Sequence, residues 1–228
     1  MRIIAGTHRH RALLPPRDAA TTRPITDRVK ESLFSKLWAM GVFQDVVQEP
    51  VDDDGESPEA MAQAPMAPAD MPVQTAESDT PVTALDLFAG TGSLGLEALS
   101  RGAAFCTFIE RDRDARRRLE QNLSTLELAN RARVLSVDAV GLSWLTLSSH
   151  IPFSVVFCDP PYAQVEDEAQ RERIKAMLEA LAGAPGVVAA GAVLVLRTPD
   201  KIAAPALRDW NPHDSRRYGS MMLHYYVK

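Results

Sequence analysis

The chain has 228 residues, 46% hydrophobic and 24% charged, which suits one globular domain with an appendage and excludes a disordered or fibrous chain. No run approaches the roughly 18 consecutive apolar residues of a membrane span, and the opening Met1-Arg2-Ile3-Ile4-Ala5-Gly6 lacks the apolar core of a signal peptide, so a cytoplasmic protein with no membrane partner is expected. The net charge of −5 is unevenly spread: residues 45–80 hold ten acidic and no basic side chains, whereas residues 1–36 hold eight basic and three acidic ones, so any affinity for nucleic acid belongs to the N-terminus.

Residues 1–44 read as a basic extension made of a short hairpin and a helix. Thr26 is the expected N-cap, Asp27 falls in the first turn, and Val29, Leu33, Phe34 and Leu37 recur at the spacing of one apolar helix face that needs a larger body to pack on. Residues 45–81 are rich in Pro, Ala, Asp and Glu and cannot bury enough apolar area to offset ordering, so they are expected to form a disordered acidic insertion. From 82 onward apolar runs alternate with helical patterns, the signature of parallel βαβ units. Strands are expected at 82–88, 105–109, 132–137, 153–158 and 192–197, with helices at 93–101, 112–126 and 166–181. Residues 208–218 and 221–227 read as two extended segments turning at Gly219. The expected architecture is a Rossmann-like α/β domain over 82–228, its mostly parallel sheet closed by an antiparallel hairpin. Cys106 and Cys158 sit in apolar runs and are expected to be reduced core residues. His213, His224, Trp144 and Trp210 show no metal or nucleophile spacing.

The first strand runs into Phe88-Ala89-Gly90-Thr91-Gly92-Ser93-Leu94-Gly95, a glycine-rich turn opening a helix. Glycines there let a ligand approach the backbone, but the pattern alone fits a dinucleotide site equally well. Asp86 shifts the balance: a carboxylate there opposes a pyrophosphate and suits the ammonium group of S-adenosylmethionine, unless it merely bonds loop amides. Glu110, ending the second strand, is placed to accept ribose hydroxyls. Asp138 and Ala139, ending the third, would lie beside adenine. Singly each carboxylate could be a surface charge; together they end three successive strands on the edge where open α/β sheets bind ligands.

Asp159-Pro160-Pro161-Tyr162 follows the buried run 153–158. Two prolines hold the Asp159 carboxylate and the Pro160 carbonyl rigidly at the strand end. Those two oxygens can accept the N–H bonds of an exocyclic base amine and localise its lone pair, and Tyr162 can stack on the base. The motif looks like motif IV of amino methyltransferases.

With the opening Arg2-Ile3-Ile4-Ala5-Gly6, then Arg9 and Arg11, Thr22-Arg23-Pro24, residues 26–34 and 85–102, this motif makes nearly the whole chain outside 45–81 resemble the RsmD-type bacterial 16S ribosomal RNA guanine-N2 methyltransferases. His10 stands where that family usually has glycine, and Ile25 where it has threonine. The resemblance implies a monomer that transfers methyl from S-adenosylmethionine to the 2-amino group of a guanine in small-subunit RNA, within the assembled or partly assembled subunit. Asp86, Phe88, Gly90, Gly92, Glu110, Asp138 and Ala139 would hold the cofactor, and Asp159, Pro160 and Tyr162 would carry the catalysis. Arg9, Arg11, Arg23 and Arg28, with Arg2 and Arg17, are candidates for phosphate contacts, though Arg23 and Arg28 could equally tie the N-terminus to the core. Two alternatives stay open: adenine-N6 methylation of DNA or RNA, and a non-catalytic RNA-binding assembly factor.

Overall fold

A computed structural model describes residues 1–17, 25–43, 81–147 and 152–228. The acidic segment 45–81, apart from Pro81, and Arg23 lie outside the described residues.

Helix α1 (Asp27–Ala39) starts as its sequence predicts, with the Thr26 side chain accepting from the Val29 amide and Asp27 in the first turn. Five parallel strands follow: β1 (Thr83–Leu87), β2 (Phe105–Ile109), β3 (Ala132–Leu135), β4 (Phe153–Cys158) and β5 (Val188–Pro199). Their crossovers contain α2 (Ser93–Ser100), α3 (Arg113–Thr125), and α4 (Tyr162–Glu166) with α5 (Glu168–Gly183). The hairpin β6 (Asn211–Tyr218) and β7 (Met221–Val227) completes a seven-stranded sheet of order β3-β2-β1-β4-β5-β7-β6, with β7 antiparallel to both neighbours. The order reverses between β1 and β4, the switch point at which such sheets bind ligands.

Several strand limits differ from the pattern-based reading by one to four residues, two of them for a visible reason. β3 stops at Leu135 because Asp138 caps a short 3-10 turn, Ala139–Gly141, through the Val140 amide. β5 begins at Val188, where small residues and Gly191 at φ 76° hide an irregular register with β4. Alternation of side chains splits the core. Ala84, Phe157 and Val195 face a cluster with α1, α2 and α3, whereas Leu85, Val156 and Leu194 face α5 and Trp210. Both cysteines are buried and free.

The opening segment folds back on itself, Ile3 and His10 bonding across it and Leu13 bonding to Met1. Ile3 is fully buried, and the Thr7 amide and the His8 amide bond the Ser100 carbonyl and hydroxyl at the end of α2. Gly6 has φ 81°, and a Cβ there would overlap the Ser100 carbonyl. Gly6→Ala is therefore expected to cost at least about 2 kcal/mol, read by chemical denaturation. His10 adopts φ 67°, the conformation that explains why glycine suits this position, and Ile25 joins the core.

Candidate active site

Between β1 and α2, Phe88, Gly90 and Gly92 take φ of 59°, 57° and 88°, turning the chain sharply so that backbone amides surround the strand end. Phe88 bears a real side chain in this region, the kind of backbone strain that clusters at binding sites. The Gly90 amide donates to Glu110 Oε2 at 2.7 Å, and the Asp112 amide donates to its Oε1 at 2.7 Å. A Cβ on Gly90 would meet open space, so the turn is lined by bare backbone on its outer side; one on Gly92 would overlap Leu119. Asn122, buried on α3, donates to the Thr91 carbonyl at 3.0 Å and accepts from the Leu14 amide at 2.8 Å, tying the turn to the N-terminal segment.

Asp86 lies beneath the turn, and its Oδ2 accepts from the Gly95 amide at 2.8 Å, in the first turn of α2. Burial, above all, pushes its carboxyl up to about 8; the Gly95 amide opposes this, and negative Asp159 and Glu110 add to it. This is a carboxylate in need of a cation. Asp138 is half-exposed, accepting from the Val140 amide and pairing with Arg111 at 3.5 Å, and the Ala139 carbonyl accepts from buried Trp144.

β4 lies directly beside β1, with Leu87 opposite Cys158 and the Asp159 amide donating to the Leu87 carbonyl at 3.3 Å. The diproline corner thus adjoins the glycine turn across the switch point. Pro160 is buried and Pro161 is the residue from which α4 starts, putting Tyr162 at its first position. Asp159 Oδ1 forms an ion pair with Arg197 Nε at 2.5 Å, and the Arg197 guanidinium lies 5.2 Å from the centre of the Tyr162 ring. Burial raises the Asp159 carboxyl, with Arg197 pulling the other way. A cleft of about 380 Å³ opens behind Pro160, lined by Val165, Leu196 and Ile202 and edged by Lys175 and Lys201.

Sequence reasoning missed Arg197, whose signal was a lone charge in the apolar run of β5. It also gave no role to Glu97 on α2. That fully buried carboxylate accepts from the Ile4 amide at 2.8 Å and the Ala5 amide at 3.0 Å, and pairs with Lys30 at 3.1 Å and Arg101 at 2.8 Å. Among the N-terminal arginines, Arg2 pairs with Asp27 and Arg17 with Asp114, whereas Arg11 donates to the Thr125 carbonyl. Arg9 and Arg28 are exposed and make no ion pair among the described residues. The tie between the N-terminus and the core that was considered for Arg28 is made instead by Lys30.

Comparison with known proteins agrees with this architecture. Ribosomal RNA small subunit methyltransferase D of Escherichia coli is 38% identical over 162 residues, 71% of this chain and 60% of that protein's length. YlbH of Bacillus subtilis is 33% identical over 178 residues, 78% of this chain and 72% of the relative. The solved structure of Escherichia coli yhhF superposes with a TM-score of 0.68 at 29% identity, covering 100% of this chain and 97% of that one. A family model described as "Conserved hypothetical protein 95" matches residues 1–48 and 75–227, both the N-terminal segment and the sheet, and the chain belongs to that family, the RsmD family.

Proposed function

We propose that the protein transfers a methyl group from S-adenosylmethionine to the exocyclic N2 amine of a guanine in small-subunit ribosomal RNA. The observation that carries this reading is the adjacency of two unlike sites on neighbouring strands: a bare glycine turn over the buried Asp86 carboxyl, and a diproline corner presenting the Asp159 carboxylate. The donor set fits the cofactor. Asp86 supplies the counter-charge that an ammonium group needs, Glu110 retains lone pairs for ribose hydroxyls beside the Gly90 amide, and Asp138 with Ala139 opens the short turn beyond β3 where adenine would lie. S-adenosylmethionine, when bound, supplies an electrophilic methyl group on sulfur.

The amine of a guanine is a weak nucleophile because its lone pair is delocalised into the ring. Asp159 Oδ2 and the Pro160 carbonyl accept its two N–H bonds, drawing the lone pair onto nitrogen and fixing its direction. Tyr162 stacks on the base once it has left its neighbours. The proton shed by the methylated nitrogen passes to Asp159, the nearest base. Exposed Arg9 and Arg28, with Arg11, Arg23 and the rest of the basic opening, contact phosphates and set the register on RNA.

The test is methyl transfer to small subunits from a strain lacking the enzyme, followed by digestion to nucleosides. N2-methylguanosine is expected. N6-methyladenosine would transfer the reading to the adenine alternative, and failure to bind S-adenosylmethionine in calorimetry would favour the assembly-factor one. Asp86 adds a pH dependence. Its carboxyl titrates near 8 without a cationic partner and is ionised with one, so binding below that pH releases a proton. Affinity for S-adenosylmethionine is expected to rise between about pH 6 and 8. Calorimetry in buffers of different ionisation enthalpy checks the proton release, and Asp86→Asn should abolish the slope.

A further inference from the structure

Arg197 is a single charge on the stretch of β5 from Ala192 to Thr198, 4% exposed, and paired across the chain with the one carboxylate of the diproline corner. A buried ion pair adds little net stability, because desolvating two charges offsets most of their attraction. What it does supply is geometry. The guanidinium fixes Asp159 by Oδ1, leaving Oδ2, which takes no hydrogen bond from any described residue, and it lies against the ring of Tyr162. Both groups assigned to the target base are thus held from one side by the same side chain.

We propose that Arg197 is the positioning residue of this corner: it orients Asp159 so that Oδ2 meets the target amine, and braces Tyr162 from behind. The proposal rests on the reading of Asp159 as the acceptor of that amine. The charged and titratable groups acting with Asp159 are Arg197 from β5, Asp86 from β1 and Cys158 on its own strand; Tyr162 from α4 meets the Arg197 guanidinium, and Glu110 acts on Asp86 rather than on Asp159. Burial raises the Asp159 carboxyl and only Arg197 opposes it, so removing the guanidinium shifts its titration to higher pH. A protonated Asp159 donates where it must accept, and the acidic limb of the methyl-transfer rate moves up with it.

The test compares the parent with Arg197→Met, Arg197→Lys and Asp159→Asn in the full chain. The carboxyl-carbon NMR resonance of Asp159, identified by its loss in Asp159→Asn, is followed against pH. Single-turnover transfer to small subunits is measured at saturating S-adenosylmethionine, which keeps Asp86 ionised. In Arg197→Met the resonance is expected to titrate at higher pH and transfer at pH 7 to fall at least about tenfold, recovering toward alkaline pH. Arg197→Lys should restore part of both. An unmoved resonance with parental transfer, or a loss equal at every pH, makes Arg197 a packing residue and overturns the proposal. If Arg197→Met does not fold, Arg197→Gln removes the charge at similar size and is judged by the same two readouts. Parental transfer by Asp159→Asn would sink the reading of Asp159 itself, whereas an inactive Asp159→Asn beside an unaffected Arg197→Met sinks the Arg197 proposal alone.

Discussion

Asp159→Asn is expected to bind S-adenosylmethionine within about threefold of the parent and to transfer methyl about 10²–10³-fold more slowly. Asparagine keeps the size of the side chain, and its carbonyl can still face Arg197, so the ion pair degrades to a charge–dipole contact without opening a hole. What is lost is the anionic acceptor. An amide oriented by Arg197 turns its NH₂ toward the amine, donor against donor, and the lone pair of the target nitrogen returns to the ring. Because Asp86 lies on β1, the Gly90 turn follows β1 and Glu110 follows β2, none of them on β4, cofactor affinity is left nearly intact. Asp159→Ala serves as the control that also removes volume. Thermal melting reports whether either variant leaves Arg197 buried without a counter-charge, calorimetry reports cofactor affinity, and labelled transfer to small subunits reports the chemistry. Transfer by Asp159→Asn at the parental rate would show that the corner does not act on the amine.

The strands at the sheet centre were legible because apolar runs such as 153–158 are bounded by turn-forming residues at both ends, and β4 was read to the residue. The three carboxylates and the diproline were legible for a related reason. In a parallel sheet whatever follows a strand lies on one edge, so order along the chain already implies neighbourhood in space. Pairings with no local pattern were not legible. Nothing near Arg197 indicates that its partner is Asp159, and nothing near Glu97 indicates that it receives the amides of Ile4 and Ala5 or the ammonium of Lys30. Nothing in the residues around Lys30 marks it as buried, yet it is fully so. The left-handed backbone at His10 was equally hidden, since histidine carries no conformational signature comparable with glycine. The N-terminus was read as an extension needing a body to pack on; Ile3, Leu13 and the apolar face of α1 share a core cluster with β1, β2 and β4.

That shared core makes Glu97 the position where a single change is expected to cost most stability. Glu97→Ala removes a fully buried carboxylate that satisfies two backbone amides and two cations. The amides of Ile4 and Ala5 lose their acceptors, and Lys30 Nζ, 2.5 Å from the Arg2 carbonyl, is left buried without a counter-charge. Breaking a buried pair by deleting one partner costs about 3–5 kcal/mol, which is a large share of the stability of a domain. Burial already holds the Lys30 ammonium below its usual range against the pull of Glu97. Without Glu97 the lysine falls further, and as a base depressed in the folded state it disfavours folding most at low pH. The loss is therefore expected to shrink as pH rises above neutrality. Urea denaturation at two pH values measures both the size and this trend. Glu97→Gln, which keeps one acceptor oxygen, should lose less, and adding Lys30→Met to it should recover part of the difference because the orphaned charge is gone. If Glu97→Ala unfolds at the parental midpoint, the N-terminal segment is not anchored through this carboxylate, and the basic side chains it carries are free to sit elsewhere on the surface.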